Sequence, residues 1–256
     1  MAVPDPDIAA RLRAAGCVFA EDEARLLMTA ARTPAELEIM VGQRAAGLPL
    51  EQVLGWAEFC GLRIAVAPGV FVPRRRTEFL VRQAEALARP GAVIVDLCCG
   101  TGAIGAALAA AVDRAEVHAA DIDPAAVQCA RQNLPGGHVY QGDLYDALPA
   151  GLRGRVAILA ANVPYVPSGE IALLPPEARA HEPRAALDGG PDGLDLLRRV
   201  AAGAAAWLAP RGHLLSETSE RQAPLAEAAL TASGLTARVA TSADLTATIV
   251  IGRRPV

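Results

Sequence analysis

The sequence predicts a doubly wound α/β fold whose sheet is mostly parallel with one reversed strand, and three observations carry that prediction. From Gly91 onward short apolar runs alternate with helical segments, the pattern that stacks helices on both faces of a parallel sheet. A glycine-rich turn, Gly100-Thr101-Gly102, joins the first of these runs to the helix that follows it. The last two runs lie only a few residues apart, too close for a parallel crossover, so they must form an antiparallel hairpin.

Residues 1–56 read as a helical region. Ile8, Leu12 and Ala15 share a helical face and Gly16 offers a stop. Glu21 to Ala31 and Pro34 to Ala46 are two further amphipathic runs, the second entered through Thr33 as N-cap. Residues 57–90 form a connecting unit. Ala57 to Val66 and Val70 to Pro73 flank Pro68-Gly69, which predicts a β-hairpin turning there, and Thr77 to Ala88 predicts a linker helix broken by Arg89-Pro90-Gly91.

Residues 91–256 carry the sheet. Strands are predicted at Ala92 to Leu97, Ala115 to Ile122, His138 to Gln141, Val156 to Asn162, His213 to Glu217, Thr236 to Ala240 and Ala247 to Gly252. Helices are predicted near Thr101 to Val112, Pro124 to Leu134, Gly193 to Leu208, and between the fifth and sixth strands. A long loop follows the fourth strand.

Composition excludes several function classes. Hydrophobic residues are 52% of the 256, ample for a core, but aromatics are 4%, so Ala, Leu and Val must build it. A net charge of −4 argues against gripping long nucleic acid through the overall field, and no direct DNA binding is expected. No apolar stretch approaches the roughly 18–20 residues of a membrane helix. The opening Met1-Ala2-Val3-Pro4-Asp5-Pro6-Asp7 lacks the features of a signal peptide. The expectation is therefore a cytoplasmic, monomeric protein that does not associate with membranes. Five cysteines without a C-x-x-C pair read as reduced thiols, with no metal site. Cys98 and Cys99, near a helix start, invite the question of lowered thiol pKa values, although packing is the simpler role.

The turn after the first strand, Asp96-Leu97-Cys98-Cys99-Gly100-Thr101-Gly102-Ala103-Ile104-Gly105, has the character of a ligand cradle. Asp121, about 20 residues after Gly100, ends the second strand where a carboxylate accepts ribose hydroxyls. Asp143 follows the third strand, placed to receive an adenine amino group. Gly100-x-Gly102-x-x-Gly105 equally fits a dinucleotide fingerprint. Asp96 tips the balance: it repels a pyrophosphate but tolerates the cationic sulfonium of S-adenosylmethionine.

After the fourth strand comes Asn162-Val163-Pro164-Tyr165. A neutral nitrogen needs acceptors for its N–H groups if its lone pair is to face an electrophile. The Asn162 side-chain oxygen and a backbone carbonyl supply two, Pro164 stiffens the loop, and Tyr165 offers a flat face for an amide or a base.

The motif resembles the Asn-Pro-Pro-Tyr of amino-methyltransferases acting on planar nitrogens. The chain as a whole is similar to the bacterial release-factor glutamine methyltransferase (HemK/PrmC) family, as a divergent member. The matching stretches are Pro49 to Gly55, Glu58-Phe59, Gly61-Leu62, Pro68-Gly69-Val70, Val72-Pro73-Arg74, Thr77-Glu78, Asp96 to Gly105, Asp121, Gly142-Asp143-Leu144, Glu182 to Gly190 and Asp192-Gly193-Leu194. The resemblance implies a Rossmann-like class I methyltransferase domain with a seven-stranded sheet. It also implies a five-helix-like N-terminal domain that docks a protein substrate, and a linking β-hairpin. It implies transfer of a methyl group from S-adenosyl-L-methionine, leaving S-adenosyl-L-homocysteine, to N5 of a glutamine amide. The partner it implies is a peptide chain release factor, methylated in its Gly-Gly-Gln loop. Asn162 and the Val163 carbonyl would hold the amide NH2, with Pro164 and Tyr165 completing the catalytic loop. Asp96, Cys98, Gly100, Thr101, Gly102, Asp121, Ile122, Asp143, Leu144 and Asn162 would form the cofactor site.

Three departures stand out. Val163 replaces a family proline, Cys98 replaces a loop glycine, and Arg75-Arg76 replaces Pro-Glu, creating a run of three arginines that reads either as solvated surface or as a docking patch. The same residues admit N- or O-methylation of a small metabolite, adenine methylation, a non-catalytic cofactor-binding relative, or a nicotinamide oxidoreductase. Glu217 reads as structural, and His118 as a satisfied core or edge residue.

Overall fold

The structure, a computed structural model, describes residues 5–256. The expectation drawn from Met1 to Pro4 lies outside the described residues. Four helices open the chain: α1 (Pro6–Ala14), α2 (Ala20–Ala30), α3 (Pro34–Ala45) and α4 (Leu50–Leu54). Thr33 caps α3 by accepting the Glu36 N–H at 3.1 Å, as its position before Pro34 predicts. Ile8, Leu12, Leu27, Met40 and Val41 meet in a small core of their own. Four helices precede the hairpin among the described residues, not the five that the resemblance implies. The last is barely more than a turn, confined between Pro49 and a left-handed Gly55.

The hairpin pairs β1 (Trp56–Phe59) with β2 (Leu62–Ala65) and turns at Cys60-Gly61 rather than at Pro68-Gly69. Both turn residues have positive φ, 50° and 73°, the two-residue geometry whose twist matches that of paired strands. Pro68-Gly69 makes a separate turn that carries Val70 to Pro73 onward as chain outside any sheet. A 3-10 turn at Arg75–Thr77 then enters α5 (Glu78–Leu87).

The main sheet has seven strands: β3 (Val93–Leu97), β4 (Glu116–Asp121), β5 (His138–Gln141), β6 (Val156–Ala161), β7 (Leu208–Thr218), β8 (Thr236–Ser242) and β9 (Ala247–Arg253). Their order is β5-β4-β3-β6-β7-β9-β8, and β9 alone is reversed, antiparallel to both β7 and β8. Helices α6 (Ala103–Ala111), α7 (Pro124–Asn133), α9 (Asp195–Trp207) and α10 (Ala223–Ala232) cover the faces, and a short α8 (Pro176–His181) lies within the loop after β6. Alternation along β3 sends Ile94 into one core with Leu108, Ile158 and Ile249. It sends Val93, Val95 and Leu97 into the other, with Leu159, Leu197 and Trp207. Because β3 is flanked by β4 and β6, the chain leaves neighbouring strands in different directions at their carboxyl ends, which opens the crevice there. No helix among the described residues is long and apolar enough to cross a membrane.

One buried guanidinium joins the helical layer to the rest. Arg44 on α3 is 2.6 Å from Glu23 on α2 and 2.5 Å from Glu177 on α8, and it donates to the Leu48 carbonyl. Replacing Arg44 by Met leaves Glu23 buried without its partner and should destabilise the fold by about 3–5 kcal/mol. The measurement is a urea midpoint that drops at unchanged slope. Adding Glu23→Leu should recover most of the loss.

Candidate active site

Two carboxylates at the ends of adjacent strands shape the turn after β3. Asp96, fully buried, accepts the Gly105 N–H through Oδ2 at 2.9 Å, and its Oδ1 has no partner. Asp121, at the end of β4, accepts the Gly100 N–H at 2.8 Å and the Asp123 N–H at 3.0 Å. Burial pushes the Asp96 carboxyl up to about 8, against the lowering effect of the Gly105 N–H, and burial also raises Asp121. Asp123, not Asp121, caps α7, accepting from Ala125. Cys98 holds a left-handed φ of 54°, a conformation that costs a non-glycine residue roughly 1–2 kcal/mol.

The loop after β6 is gripped by its neighbours. A Cβ on Gly189 would lie 2.6 Å from the Pro164 carbonyl oxygen, and one on Gly193 would collide with the Tyr165 carbonyl and with Gln222 Nε2. Side chains are thus excluded where the two backbones touch. The Val166 N–H donates to the Leu187 carbonyl and the Gly189 N–H to the Val166 carbonyl, while Gln222 Nε2 donates to the carbonyls of Tyr165 and Asp192, both at 2.8 Å. Within this frame Asn162 Oδ1 is a buried acceptor with no donor. Leaving such a group unpaired costs about 1–3 kcal/mol, the signature of an atom awaiting a ligand.

Arginines hold two buried carboxylates beside this loop. Arg74 Nη2 lies 2.6 Å from Glu182, whose other oxygen has no partner, and the same Glu182 oxygen accepts the Val72 N–H. Arg76 binds both Glu217, at the end of β7, and the Tyr165 hydroxyl. Burial first, and the Glu217 charge second, keep the Tyr165 phenol protonated. Within the arginine run Arg74 and Arg76 are engaged with buried carboxylates, whereas Arg75 is exposed.

A cavity of about 440 Å³, within the range of small-molecule sites, opens between the two loops. Its wall includes Cys98, Gly100, Thr101, Asp121, Ile122 and Asn162 to Tyr165. Phe59, Val70, Phe71 and part of the segment from Leu174 to Leu187 close the other side. Four residues expected around the cofactor are not on this wall: Asp96, Gly102, Asp143 and Leu144. Asp96 and Gly102 sit behind the turn. Asp143 pairs with Arg199 on α9 at 2.7 Å, so its carboxylate is already engaged, and Leu144 is turned into the core. Gln222, Gly189, Gly193, Phe71 and Arg76 belong to the site's construction although sequence reasoning gave them no role there. Only the glycine-rich run Asp188 to Gly193 carried a signal of close backbone approach.

Burial raises the Cys98 and Cys99 thiols, so their position near a helix start does not activate them. His118 is buried between Tyr140 and Glu116, a satisfied structural histidine. Glu217 is buried and wholly engaged with Arg76, Thr77 and Tyr165.

Residues 61–167 match the family described as methyltransferase small domain. A release factor glutamine methyltransferase of Mycolicibacterium smegmatis is 40% identical over 252 residues, covering 95% of this chain and 88% of that protein. A 4-amino-L-phenylalanine/4-methylamino-L-phenylalanine methyltransferase of Streptomyces pristinaespiralis is 39% identical over 203 residues, covering 76% of this chain and 69% of that one. Among solved structures, a methyltransferase of Pyrococcus furiosus superimposes with a TM-score of 0.58 at 15% identity, over 77% of this chain and 90% of the other. That likeness concerns the fold.

The raised Asp96 carboxyl has a consequence for stability. Between about pH 4 and pH 8 it holds its proton in the folded chain and loses it in the unfolded one. Its contribution to stability therefore falls as pH rises through that window. Urea unfolding of the ligand-free protein should show a shallower decline from pH 5 to pH 8 in Asp96→Asn than in the wild type. Parallel declines would place the proton elsewhere.

Proposed function

The chain belongs to the release factor glutamine methyltransferase family, and from that premise we propose that it transfers a methyl group to N5 of a protein glutamine, the one in the Gly-Gly-Gln loop of a peptide chain release factor. Its cofactor is S-adenosyl-L-methionine, released as S-adenosyl-L-homocysteine. The observation that carries the reading is the buried, donor-less Oδ1 of Asn162, a residue that lines the cavity together with the Gly100 turn.

The residues present suit that cofactor. Asp121, which lines the cavity, uses two of its lone pairs on backbone N–H groups and retains others that can accept ribose hydroxyls. Gly100, Thr101 and Ile122 line the same stretch of wall. When bound, S-adenosylmethionine supplies an electrophilic methyl on a sulfonium. The chain's task is alignment, because a carboxamide nitrogen is a weak nucleophile whose lone pair is delocalised. Asn162 Oδ1 and the Val163 carbonyl accept the two in-plane N–H bonds, leaving the face of the nitrogen open to the methyl group. The same two acceptors stabilise the positive charge that grows on nitrogen during transfer, and the surplus proton leaves afterwards. Tyr165 lies against the flat amide, and the apolar side around Phe59 and Phe71 keeps water out. No strong general base is required.

A second reading, N-methylation of a free amino acid or similar metabolite, draws support from the Streptomyces relative. Labelled S-adenosylmethionine offered with unmethylated release factor, and separately with protein-free extract, distinguishes the two. Label mapped to the Gly-Gly-Gln glutamine supports the first reading, and label only in the small-molecule fraction replaces it with the second. Asn162→Ala should lower turnover about 100-fold or more while cofactor affinity changes less than about threefold. Turnover within a factor of two of wild type would remove Asn162 from the reaction.

A further inference from the structure

Arg76 stands where three elements meet: the 3-10 turn before α5, the carboxyl end of β7 and the loop after β6. Its Nε donates to Glu217 Oε1 at 2.7 Å and its Nη2 donates to the Tyr165 hydroxyl at 2.8 Å. That hydroxyl in turn donates to the same Glu217 oxygen at 2.7 Å, so the three groups close a triangle. Thr77 Oγ1 takes the second Glu217 oxygen at 2.6 Å and fixes the carboxylate from behind. Glu217 is buried, whereas about half of Arg76 is exposed.

A phenol has one proton and two lone pairs. Here the proton is committed to a carboxylate and a lone pair to a guanidinium, both charge-assisted bonds. The hydroxyl sits at the end of the ring farthest from Cβ, so anchoring it fixes the direction of the whole ring. The near end is held through the Tyr165 carbonyl, which accepts from Gln222. Between Asn162 and Tyr165 only Pro164 restricts the backbone. The triangle therefore supplies from outside the loop an order that the loop's own residues do not provide.

We propose that Arg76 is a positioning residue for methyl transfer: by holding the Tyr165 hydroxyl against Glu217 it sets the surface on which the acceptor group lies. The proposal rests on the reading of Tyr165 as that surface. Without Arg76 the buried Glu217 keeps only two hydroxyl donors, Thr77 and Tyr165, and the Tyr165 hydroxyl is held by one hydrogen bond instead of two.

The test combines kinetics with a spectroscopic reporter that needs no acceptor. The chain has three tyrosines, so tyrosine labelled with carbon-13 at Cζ gives three signals, and Tyr165→Phe identifies the one from Tyr165. In Arg76→Gln that signal should move while the other two stay in place. With the acceptor that the wild type labels, Arg76→Gln should lower kcat about 10- to 100-fold, with KM and cofactor Kd within about twofold. Arg76→Lys should recover part of the loss. In a Tyr165→Phe background the Arg76→Gln step should cost less than about twofold, because the link is already cut. Equal losses in both backgrounds, or an unmoved Tyr165 signal, overturn the proposal. If no protein glutamine takes label, the functional reading falls, and the carbon signal still decides whether Arg76 holds the ring.

Discussion

The backbone after β6 meets the backbone of Gly189 to Gly193 so closely that no side chain fits between them, and much of the cavity depends on that contact. It fixes the carbonyls of Pro164 and Tyr165, and Gln222 ties the seam by donating to both strands of it. Asn162 is thereby held just after a central strand, on the cavity wall, with a buried side-chain oxygen that has no internal donor. A side chain on either glycine would displace the loop from Asn162 to Tyr165. The glycine-rich run is thus a structural requirement of a loop more than 20 residues away in sequence.

Charge is handled around the cavity in two ways. Asp121 binds a backbone N–H in the turn before α6 and Asp96 one in the first turn of α6 itself, so they shape the cradle as well as line or back it. Glu182 and Glu217 are buried against arginines instead. With no lysine in the chain, every such pair uses a planar guanidinium, which can divide its donors between partners as Arg76 and Arg44 do.

The sheet was legible because its signals are local: seven apolar runs, a glycine turn after the first, and two final runs too close for a crossover. Asn162 to Tyr165 stood out because it directly follows a strand, and the structure places it on the cavity wall. The hairpin turn was misplaced because Pro68-Gly69 is the stronger local signal, whereas Cys60 adopts a left-handed conformation that cysteine seldom does. Asp143 was marked as a cofactor residue because it follows a strand, and its pairing with Arg199, on α9, could not be foreseen from that position. The contacts of Arg76 were equally hidden, since Glu217 and Tyr165 reach it only through the fold. Long-range pairing of charges, not local pattern, separates what was read from what was missed.

The buried Arg44 also sets how the cavity's cover can come apart. Its inner partner, Glu23, is nearly inaccessible, whereas its outer partner, Glu177 on α8, is 43% exposed. Separating α8 from the helical layer hands one carboxylate to water and leaves the guanidinium still neutralised, a modest cost. Separating α2 from α3 strands both charges in an apolar interior, a prohibitive one. The joint is therefore asymmetric: its contact with the cover is the weaker one and its contact within the helical layer the stronger.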